Sequence, residues 1–311
     1  MGPYLSTPVT EKRSSSGNNS KISFGVSAMQ GWRVSMEDAH LTNLNIDEST
    51  SCFGVFDGHG GHEVSLFISR HFGPELVLNP HFQNRRIEQA LSDTFVRLDA
   101  LMRTKEGKKE LYRLQRDLPT NFLIDDNMAE SAQFNAGCTA VVALIRGNML
   151  YVANAGDSRC VLARNRRAIN MSQDHKPELE NEFRRIKDAG GSVIDGRING
   201  NLNLSRSLGD FNYKDPSVPP ERHMITACPE LKVEQLGQED DFIVIGCDGI
   251  WDILTSQQCV DFVYDRLGRL SLEEIARQIC DRCLARSVDE NLGRGCDNMS
   301  VIIVTWKKPI N

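Results

Sequence analysis

Residues 141–154 read VVALIRGNMLYVAN, and this stretch decides the type of sheet in the protein. Two apolar runs flank Gly147-Asn148, a two-residue turn whose members tolerate positive φ angles. A connection this short joins neighbouring antiparallel strands, whereas parallel strands need a crossover of a dozen residues or more. At least part of the sheet is therefore predicted to be antiparallel.

Helical spacing of apolar residues predicts helices in pairs between groups of strands. The first pair covers 64–72 and 87–101, and the second covers 255–267 and 271–279. Several apolar, β-favouring runs lie too close together along the chain to enclose a helix. Groups of strands that alternate with helix pairs favour a β core covered by helices.

Composition and charge exclude several classes of protein. The chain has 311 residues, of which 40% are hydrophobic and 25% charged, as in an ordinary folded protein. Lys and Arg number 36 against 42 Asp and Glu, and the net charge of −6 argues against a general nucleic-acid binder. We find neither a transmembrane run nor a secretory signal, and the nine cysteines suit reduced, buried thiols. We expect a monomer in the cytoplasm, with the nucleus left open.

The domain organisation is predicted to be simple. Residues 1–20 are rich in Ser, Pro, Asn and Gly, which indicates a flexible N-terminal arm. Residues 21–311 are predicted to form a single domain, because no linker divides them convincingly. Residues 103–135 are dense in charge and nearly without apolar periodicity, which indicates a surface insertion.

Acidic residues recur beside Gly or Asn at the ends of predicted strands. Asp57, Asp157 and Asp248 each follow an apolar run, and Asp297 precedes one. If the four converge, cations must offset their repulsion, and hard oxygen donors favour Mg²⁺ or Mn²⁺ over Zn²⁺. Two such ions would activate a bridging water as a nucleophile for a phosphorus centre. The alternative is that they are solvated loop acids.

Two further groups suit phosphate chemistry. Arg33 offers a planar fork for two phosphate oxygens, and Glu37 and Asp38 add carboxylates close by. His59 follows Asp57-Gly58 directly, so it would lie at the metal edge and could protonate a leaving alkoxide. Taken alone, the first segment could equally be a surface salt-bridge cluster, and His59 could be an ordinary polar surface residue.

A set of motifs spread over residues 21 to 306 resembles the metal-dependent Ser/Thr protein phosphatase family, type 2C. The motifs are GWRVSMEDAH, FGVFDGHGG, AGCTAVV, VANAGDSRCVL, DHKP, SRSLGDF, PE, CDGIWD and CDNMSVIIV. The resemblance implies an α+β fold, with a central β-sandwich of two antiparallel sheets flanked by pairs of antiparallel helices in four layers, α-β-β-α. It also implies hydrolysis of phosphoserine and phosphothreonine in proteins without a covalent phosphoenzyme.

The resemblance also implies roles for single residues around two Mn²⁺ or Mg²⁺ ions per subunit, with a weaker third ion left open. Asp57 resembles the carboxylate that bridges both ions, Gly58 the carbonyl donor, and Asp248 and Asp297 the remaining direct ligands. Glu37 and Asp38 match acids that hold metal-bound waters, and Asp157 and Asp252 match those of the third ion. Arg33 matches the phosphate-binding arginine and His59 the general acid. Residues 199–211, with Ser205, Arg206 and Asp210, resemble a flap beside the cleft.

Three other functions compete with this interpretation. Cys160 and Cys280 each begin a C-x5-R spacing, but neither follows a His or stands in a Gly-rich loop, so a cysteine-based phosphatase is disfavoured. A catalytically inactive phosphatase-like scaffold would be expected to lack ligands, yet the whole set is present. A metal-dependent hydrolase of small phosphate esters stays open, because only the resemblance points to phosphorylated protein substrates.

The N-terminus adds one conditional expectation about membranes. Met1-Gly2-Pro3 opens a loose myristoylation pattern, although Pro3 counts against acylation. A single myristoyl chain would give only weak, reversible membrane attachment. An unmodified arm is therefore an equal alternative to acylation at Gly2.

Overall fold

The structure, a computed structural model, describes residues 4–289 and 293–307. Its strands are β1 (Tyr4–Asn18), β2 (Ile22–Arg33), β3 (Ala39–Asp47), β4 (Thr50–Phe56), β5 (Gly58–His59), β6 (Gly137–Cys138), β7 (Ala140–Arg146), β8 (Met149–Ala155), β9 (Arg159–Arg164), β10 (Arg167–Asn170), β11 (Val193–Ile194), β12 (Arg197–Ile198), β13 (Leu208–Gly209), β14 (Glu230–Gln235), β15 (Asp240–Gly246) and β16 (Met299–Trp306). Its α-helices are α1 (Glu63–Leu78), α2 (Pro80–Gln83), α3 (Ile87–Met102), α4 (Lys105–Gln115), α5 (Asp126–Glu130), α6 (Glu180–Asp188), α7 (Asp248–Trp251), α8 (Ser256–Tyr264) and α9 (Leu272–Cys283).

Two antiparallel sheets form the centre of the molecule. The six-stranded sheet has the order β1-β2-β16-β15-β9-β10, and the five-stranded sheet has the order β14-β8-β7-β4-β3. Two small sheets, β13-β6-β5 and β11-β12, lie beside them. The predicted hairpin is present: β7 and β8 pair in antiparallel register up to Arg146 and Met149, and Gly147 takes the positive φ of 60° that this turn requires.

Strand β4 shows how the two sheets pack together. Its side chains alternate, so Phe53 and Val55 point into the sandwich while Cys52 and Phe56 face the helices. The ring of Phe53 lies 5.7 Å from that of Phe24 on β2, which joins the two sheets through an aromatic contact. The core between the sheets is therefore continuous.

Helices cover both outer faces of the sandwich. Helices α1 and α3 pack against the five-stranded sheet, where the ring of Phe72 lies 6.2 Å from Phe56 and 5.5 Å from Phe95. Helices α8 and α9 pack against the six-stranded sheet. Thr255 caps α8 in the predicted capping box with Gln258. The predicted four-layer α+β fold is confirmed.

The prediction of a flexible arm over residues 1–20 is wrong for Tyr4–Asn18. These residues form β1, which pairs with the exposed edge of β2 and carries Pro8 near its bulges, as edge strands tolerate. Lys12 also forms an ion pair with Asp281 at 2.6 Å. The arm is held mainly by backbone hydrogen bonds, so a sequence criterion based on apolar side chains missed it.

The charged segment 103–135 is helical in two places. Helix α4 buries Leu111 and Leu114 in the core beneath α1 and α3, while the short helix α5 lies against α4. The segment is thus anchored by α4 rather than lying wholly on the surface. That it is an addition to the family's common core stays a prediction.

Two expectations concern membranes. Among the residues that the structure describes, no helix is both long enough and apolar enough to span a bilayer. Gly2, the candidate acylation site, lies outside the described residues.

Candidate functional site

A cleft of about 560 Å³ collects most of the predicted site residues. It lies where the ends of the two large sheets meet, because Asp57 follows β4 of one sheet and Asp248 follows β15 of the other. Asp297 reaches the same place shortly before β16. The candidates that line the cleft are Arg33, Glu37, Asp57, Gly58, His59, Asp157, Asp248, Asp252 and Asp297. Nine residues predicted from distant segments are thus brought together.

Burial and repulsion disfavour the charged forms of Asp57 and Asp248. The pKa of each carboxyl is raised well above 3.8, first because burial removes water from the carboxylate. Neighbouring acids add to this effect: Asp248 acts most strongly on Asp57, and Asp157 acts most strongly on Asp248. An arrangement of this kind is stable in its ionised form only if positive charge is supplied.

Asp38 is the acid whose surroundings are least satisfied. Its side chain is buried next to Asp57, with carboxylate oxygens of the two residues and the sulfur of Cys247 all within 4.8 Å of one another. Neither carboxylate oxygen of Asp38 accepts a hydrogen bond from any group in the described parts of the chain. Burial, with repulsion from Asp297 and Glu37, outweighs a nearby hydroxyl and thiol that favour the charged form, and raises its pKa to about 7. A buried acid without partners indicates a site for a cation.

The donors around Asp38 fit Mn²⁺ or Mg²⁺. Carboxylate oxygens predominate, and burial raises the pKa of the Cys247 thiol well above its usual range, which keeps it protonated and a weak ligand. Gly58 approaches the segment so closely that a Cβ atom there would overlap the carbonyl oxygen of Glu37. The backbone of Gly58 can therefore stand at the edge of the acidic cluster, where a side chain would not fit.

Arg33 joins the acidic cluster to the open cleft. Its Nη2 donates to Oδ2 of Asp297 at 2.6 Å, while the backbone N–H of Asn298 donates to Oδ1 at 2.8 Å. Burial acts to lower the pKa of Arg33, but the carboxylate of Asp297 outweighs burial and raises it. Its Nε–H is buried and meets no acceptor within residues 4–289 and 293–307. A half-buried guanidinium with an unused donor is suited to an anionic ligand.

Glu37 is held by hydrogen bonds from its own loop and from two other segments. Its Oε1 accepts from the hydroxyl of Ser35 at 2.7 Å, and its Oε2 accepts from the backbone N–H of Gly61 at 3.2 Å. Asn298 fixes the same loop, because its Oδ1 accepts from the Glu37 N–H at 2.8 Å and its amide donates to two backbone carbonyls. The loop that follows Arg33 and carries Glu37 and Asp38 is therefore tied to the start of β16.

His59 stands at the cleft with a carboxylate behind it. Its Nε2 lies 2.8 Å from Oδ2 of Asp210, a buried residue with a positive φ of 48°. Burial acts to lower the pKa of His59, but Asp210 outweighs burial and raises it. Ser207 donates to the same oxygen of Asp210 at 2.5 Å. The imidazole is thus oriented by a residue of the predicted flap.

Asp157 is already paired with a cation of the chain. The Lys176 ammonium forms a short ion pair with this carboxylate, of which only 3% is exposed. Burial acts to lower the pKa of Lys176, but Asp157, followed by Asp248 and Asp252, raises it. The carboxylate of Asp252 lies at the exposed edge of the cleft, and its backbone carbonyl accepts from Arg294.

The predicted flap, residues 199–211, lies beside the cleft and is anchored away from it. Leu202, Asn203 and Leu204 line the cleft. Ser205 and Arg206 instead turn towards α6, where both contact Glu182, with Arg206 Nη2 at 2.7 Å. Only Asp210 of the three named flap residues contacts another site candidate.

Three residues position the site through contacts that the sequence did not predict, although Asp210 was expected in the flap. Asp210 and Lys176 stand inside the motifs SRSLGDF and DHKP, so their positions were marked but their contacts were not. Asn298 directly follows Asp297, and a polar residue before an apolar strand could have indicated its anchoring role. Each contact joins segments that lie far apart along the chain, which a linear pattern does not reveal.

Comparison with known proteins finds similarity to one family along most of the chain. The family model described as Protein phosphatase 2C matches residues 22–292. "Probable protein phosphatase 2C 11" of Oryza sativa subsp. japonica is 44% identical over 100% of this chain and 92% of its own length. "Probable protein phosphatase 2C 6" of Paramecium tetraurelia is 46% identical over 99% of this chain and 100% of its own.

Solved structures agree on the fold. The serine-threonine phosphatase 2C from Toxoplasma gondii superimposes with a TM-score of 0.75, at 19% identity, over 98% of this chain and 99% of its own. A Caenorhabditis elegans sex determining protein superimposes with a TM-score of 0.71, at 27% identity, over 94% of this chain and 67% of its own. Together with the family match and the relatives above 40% identity, these findings show that the chain belongs to the protein phosphatase 2C family.

Proposed function

We propose that this protein is a Mn²⁺- or Mg²⁺-dependent protein serine/threonine phosphatase that uses water as its nucleophile. The observation that carries the proposal is the convergence of Asp57, Asp248 and Asp297 on one cleft beside the buried, unpartnered carboxylate of Asp38. Family membership supports the reaction class and the protein substrate.

In this proposal some residues would bind the ions directly, and others would bind the water around the ions. Asp57, Asp248, Asp297 and the carbonyl oxygen of Gly58 would hold two ions, and Glu37 and Asp38 would hold water around them. When bound, the ions would neutralise the carboxylates and lower the pKa of water towards neutrality. The raised pKa values of Asp57 and Asp248 support this assignment, because crowded, buried carboxylates favour nearby positive charge.

Arg33 would hold the phosphate. Its guanidinium lines the cleft and keeps an unused buried Nε–H donor while Nη2 remains on Asp297. A planar fork of this kind binds two phosphate oxygens at once and orients the phosphorus for attack. The ion pair with Asp297 would fix the fork relative to the acidic cluster.

His59 would act as the general acid. A Ser or Thr alkoxide is a poor leaving group, so a proton delivered as the P–O bond breaks lowers the barrier. The Asp210 carboxylate favours the protonated imidazole and holds it at the cleft. The leaving oxygen would then depart as a neutral hydroxyl.

Further expectations about partners and location belong to the same proposal. Phosphorylated proteins are the expected substrates, the expected state is a monomer, and the expected location is the cytoplasm, with the nucleus open. Membrane attachment depends on acylation of Gly2. Mass spectrometry of the native N-terminus tests that step, since an unmodified terminus excludes it.

The decisive assay compares substrates and metals in one experiment. With Mn²⁺ or Mg²⁺ present we expect phosphate release from a phosphothreonine peptide, little release from a free nucleotide, and loss of activity in EDTA. Asp57→Asn should abolish turnover, whereas Asp195→Asn, at an exposed turn, is the matched control. Peptide activity that survives exhaustive EDTA treatment would refute the metal role. Preferential nucleotide hydrolysis would favour a small-ester hydrolase, and no activity with intact metal binding would favour a scaffold.

A further inference from the structure

The contact between Lys176 and Asp157 is built into the fold. The backbone N–H of His175 donates to the Gly156 carbonyl at 2.9 Å, and the Gly156 N–H donates to Nδ1 of His175 at 3.2 Å. His175 is itself buried, and its Nε2 lies 3.2 Å from Glu230. These bonds place the loop that carries Lys176 directly against the turn that carries Asp157.

A second pair of bonds fixes the same loop. Arg159 donates hydrogen bonds to both carboxylate oxygens of Asp174, from Nε at 3.0 Å and from Nη2 at 2.7 Å. Asp174 precedes His175 and Lys176, and Arg159 begins β9 just after Asp157. The backbone segments that carry Lys176 and Asp157 are therefore fixed relative to each other, and their ion pair is not a contact between two mobile surface side chains.

The Lys176 ammonium stands where three acids face one another. It pairs with Asp157 and also lies within the electrostatic reach of Asp248 and Asp252. Of these acids, Asp157 and Asp252 are those that the family resemblance associates with a weak third metal ion. A monovalent cation supplied by the chain thus lies against Asp157 and within the influence of the other two carboxylates at this end of the cleft.

We propose that Lys176 is a resident cation that competes with the third divalent ion for Asp157, so that this ion binds only when the ammonium moves away. The inference rests on the metal-dependent function proposed above and adds a selectivity residue to it. Lys176 thereby keeps the affinity of the third site low. The phosphatase can then bind and lose its third ion while the other two stay in place.

The size of the effect follows from the competition. An ion binds only the fraction of molecules in which the ion pair is open, and its apparent affinity falls by that fraction. If the pair is closed for about nine-tenths of the time, the third ion binds about tenfold more weakly than it would to a free Asp157. Removing the ammonium should recover this factor at the third site.

The test measures metal binding rather than turnover. We would titrate Mn²⁺ into the full-length, metal-free protein by calorimetry and count bound Mn²⁺ by electron paramagnetic resonance. Lys176→Met should tighten the third, weakest binding event about tenfold or more, whereas Lys176→Arg should leave it as weak as in the parent. Lys232→Met is the matched control, because the Lys232 ammonium is exposed and donates to the Asn170 carbonyl away from the cleft.

The outcomes separate the inference from the function on which it rests. Equal third-site affinity in the parent and in Lys176→Met, or no third ion in either, overturns the inference. Absence of all Mn²⁺ binding in the folded parent overturns the proposed function instead. Because the Met variant could fail to fold, amine acetylation of the parent provides a second readout by mass spectrometry. Labelling of Lys176 relative to Lys232 should rise as the third ion binds, and unchanged labelling across that range contradicts the inference.

Discussion

The buried carboxylate of Asp38 should make the metal-free protein less stable as the pH rises. Its pKa is raised from 3.8 to about 7, first by burial and then by repulsion from neighbouring carboxylates. Between these two pH values the folded state keeps a proton that the unfolded state has released. Stability is therefore greatest below pH 3.8 as far as this group is concerned, and it declines until the pH passes the folded pKa.

The size of the penalty follows from the shift. Each unit of pKa difference corresponds to about 1.4 kcal/mol, so Asp38 costs about 4 kcal/mol at pH 8 and about 1.5 kcal/mol at pH 5. Asn at this position has nearly the same shape but cannot ionise. Asp38→Asn should thus gain about 2.5 kcal/mol more stability, relative to the parent, at pH 8 than at pH 5. The comparison between pH values cancels the constant cost of burying the amide.

Urea denaturation in EDTA, followed by tryptophan fluorescence, measures this difference at the two pH values. Asp195→Asn is the control, because Asp195 is exposed and its substitution should leave the pH dependence as it is in the parent. Added Mn²⁺ should reduce the advantage of Asp38→Asn at pH 8, since the ions supply the missing charge. The reasoning is refuted if Asp38→Asn changes the free energy of unfolding equally at pH 5 and pH 8.

Three further predictions concern the acid, the flap and the backbone. Asp210→Asn should lower kcat on a phosphothreonine peptide about tenfold, and His59→Gln should lower it about 100-fold. Both variants should have little effect on the hydrolysis of an aryl phosphate, because its leaving group needs no proton. Equal losses of kcat on both substrates would exclude the general-acid role. Two arginines outweigh burial and lower the pKa of Glu182 to about 2. Glu182→Gln should therefore lower the free energy of unfolding by about 3 kcal/mol at pH 7, and by progressively less as the pH falls from 4.5 towards 2. Urea denaturation that shows the same loss at every pH would contradict this. Gly58→Ala should destabilise the fold by about 1–3 kcal/mol in thermal melts, because its Cβ would overlap a backbone carbonyl. Gly73→Ala in α1 is the control, because its Cβ meets no such contact. Equal melting temperatures for the two variants would show that the close approach at Gly58 is not needed.

Features that depend on short stretches of sequence were predictable. The turn at Gly147-Asn148 needs only two residues with suitable φ angles between apolar runs, so the antiparallel hairpin followed from the sequence. The acids at strand ends were visible for a similar reason, because a rigid strand carries the carboxylate beside it to the rim of the sheet. The resemblance to a family then supplied roles that the spacing alone left open.

Features that depend on partners far along the chain were not predictable. The polar segment Tyr4–Asn18 contains few large apolar groups, and only the free edge of β2 gives its backbone a partner. His59 meets Asp210 across 151 residues, through a sharp turn in the flap that no periodicity marks. Lys176 likewise has no pattern of its own, and its pairing with Asp157 arises from the way two loops are tied together.

The central claim is that Asp57, Asp248 and Asp297 hold divalent ions together in the cleft. Crystals grown in manganese, with anomalous diffraction recorded at the manganese edge, test this claim most directly. The account predicts two strong anomalous peaks in the cleft, with Asp57 within coordinating distance of both and with Asp248 and Asp297 each contacting at least one. A cleft without anomalous density, or peaks that contact none of these three carboxylates, would contradict it.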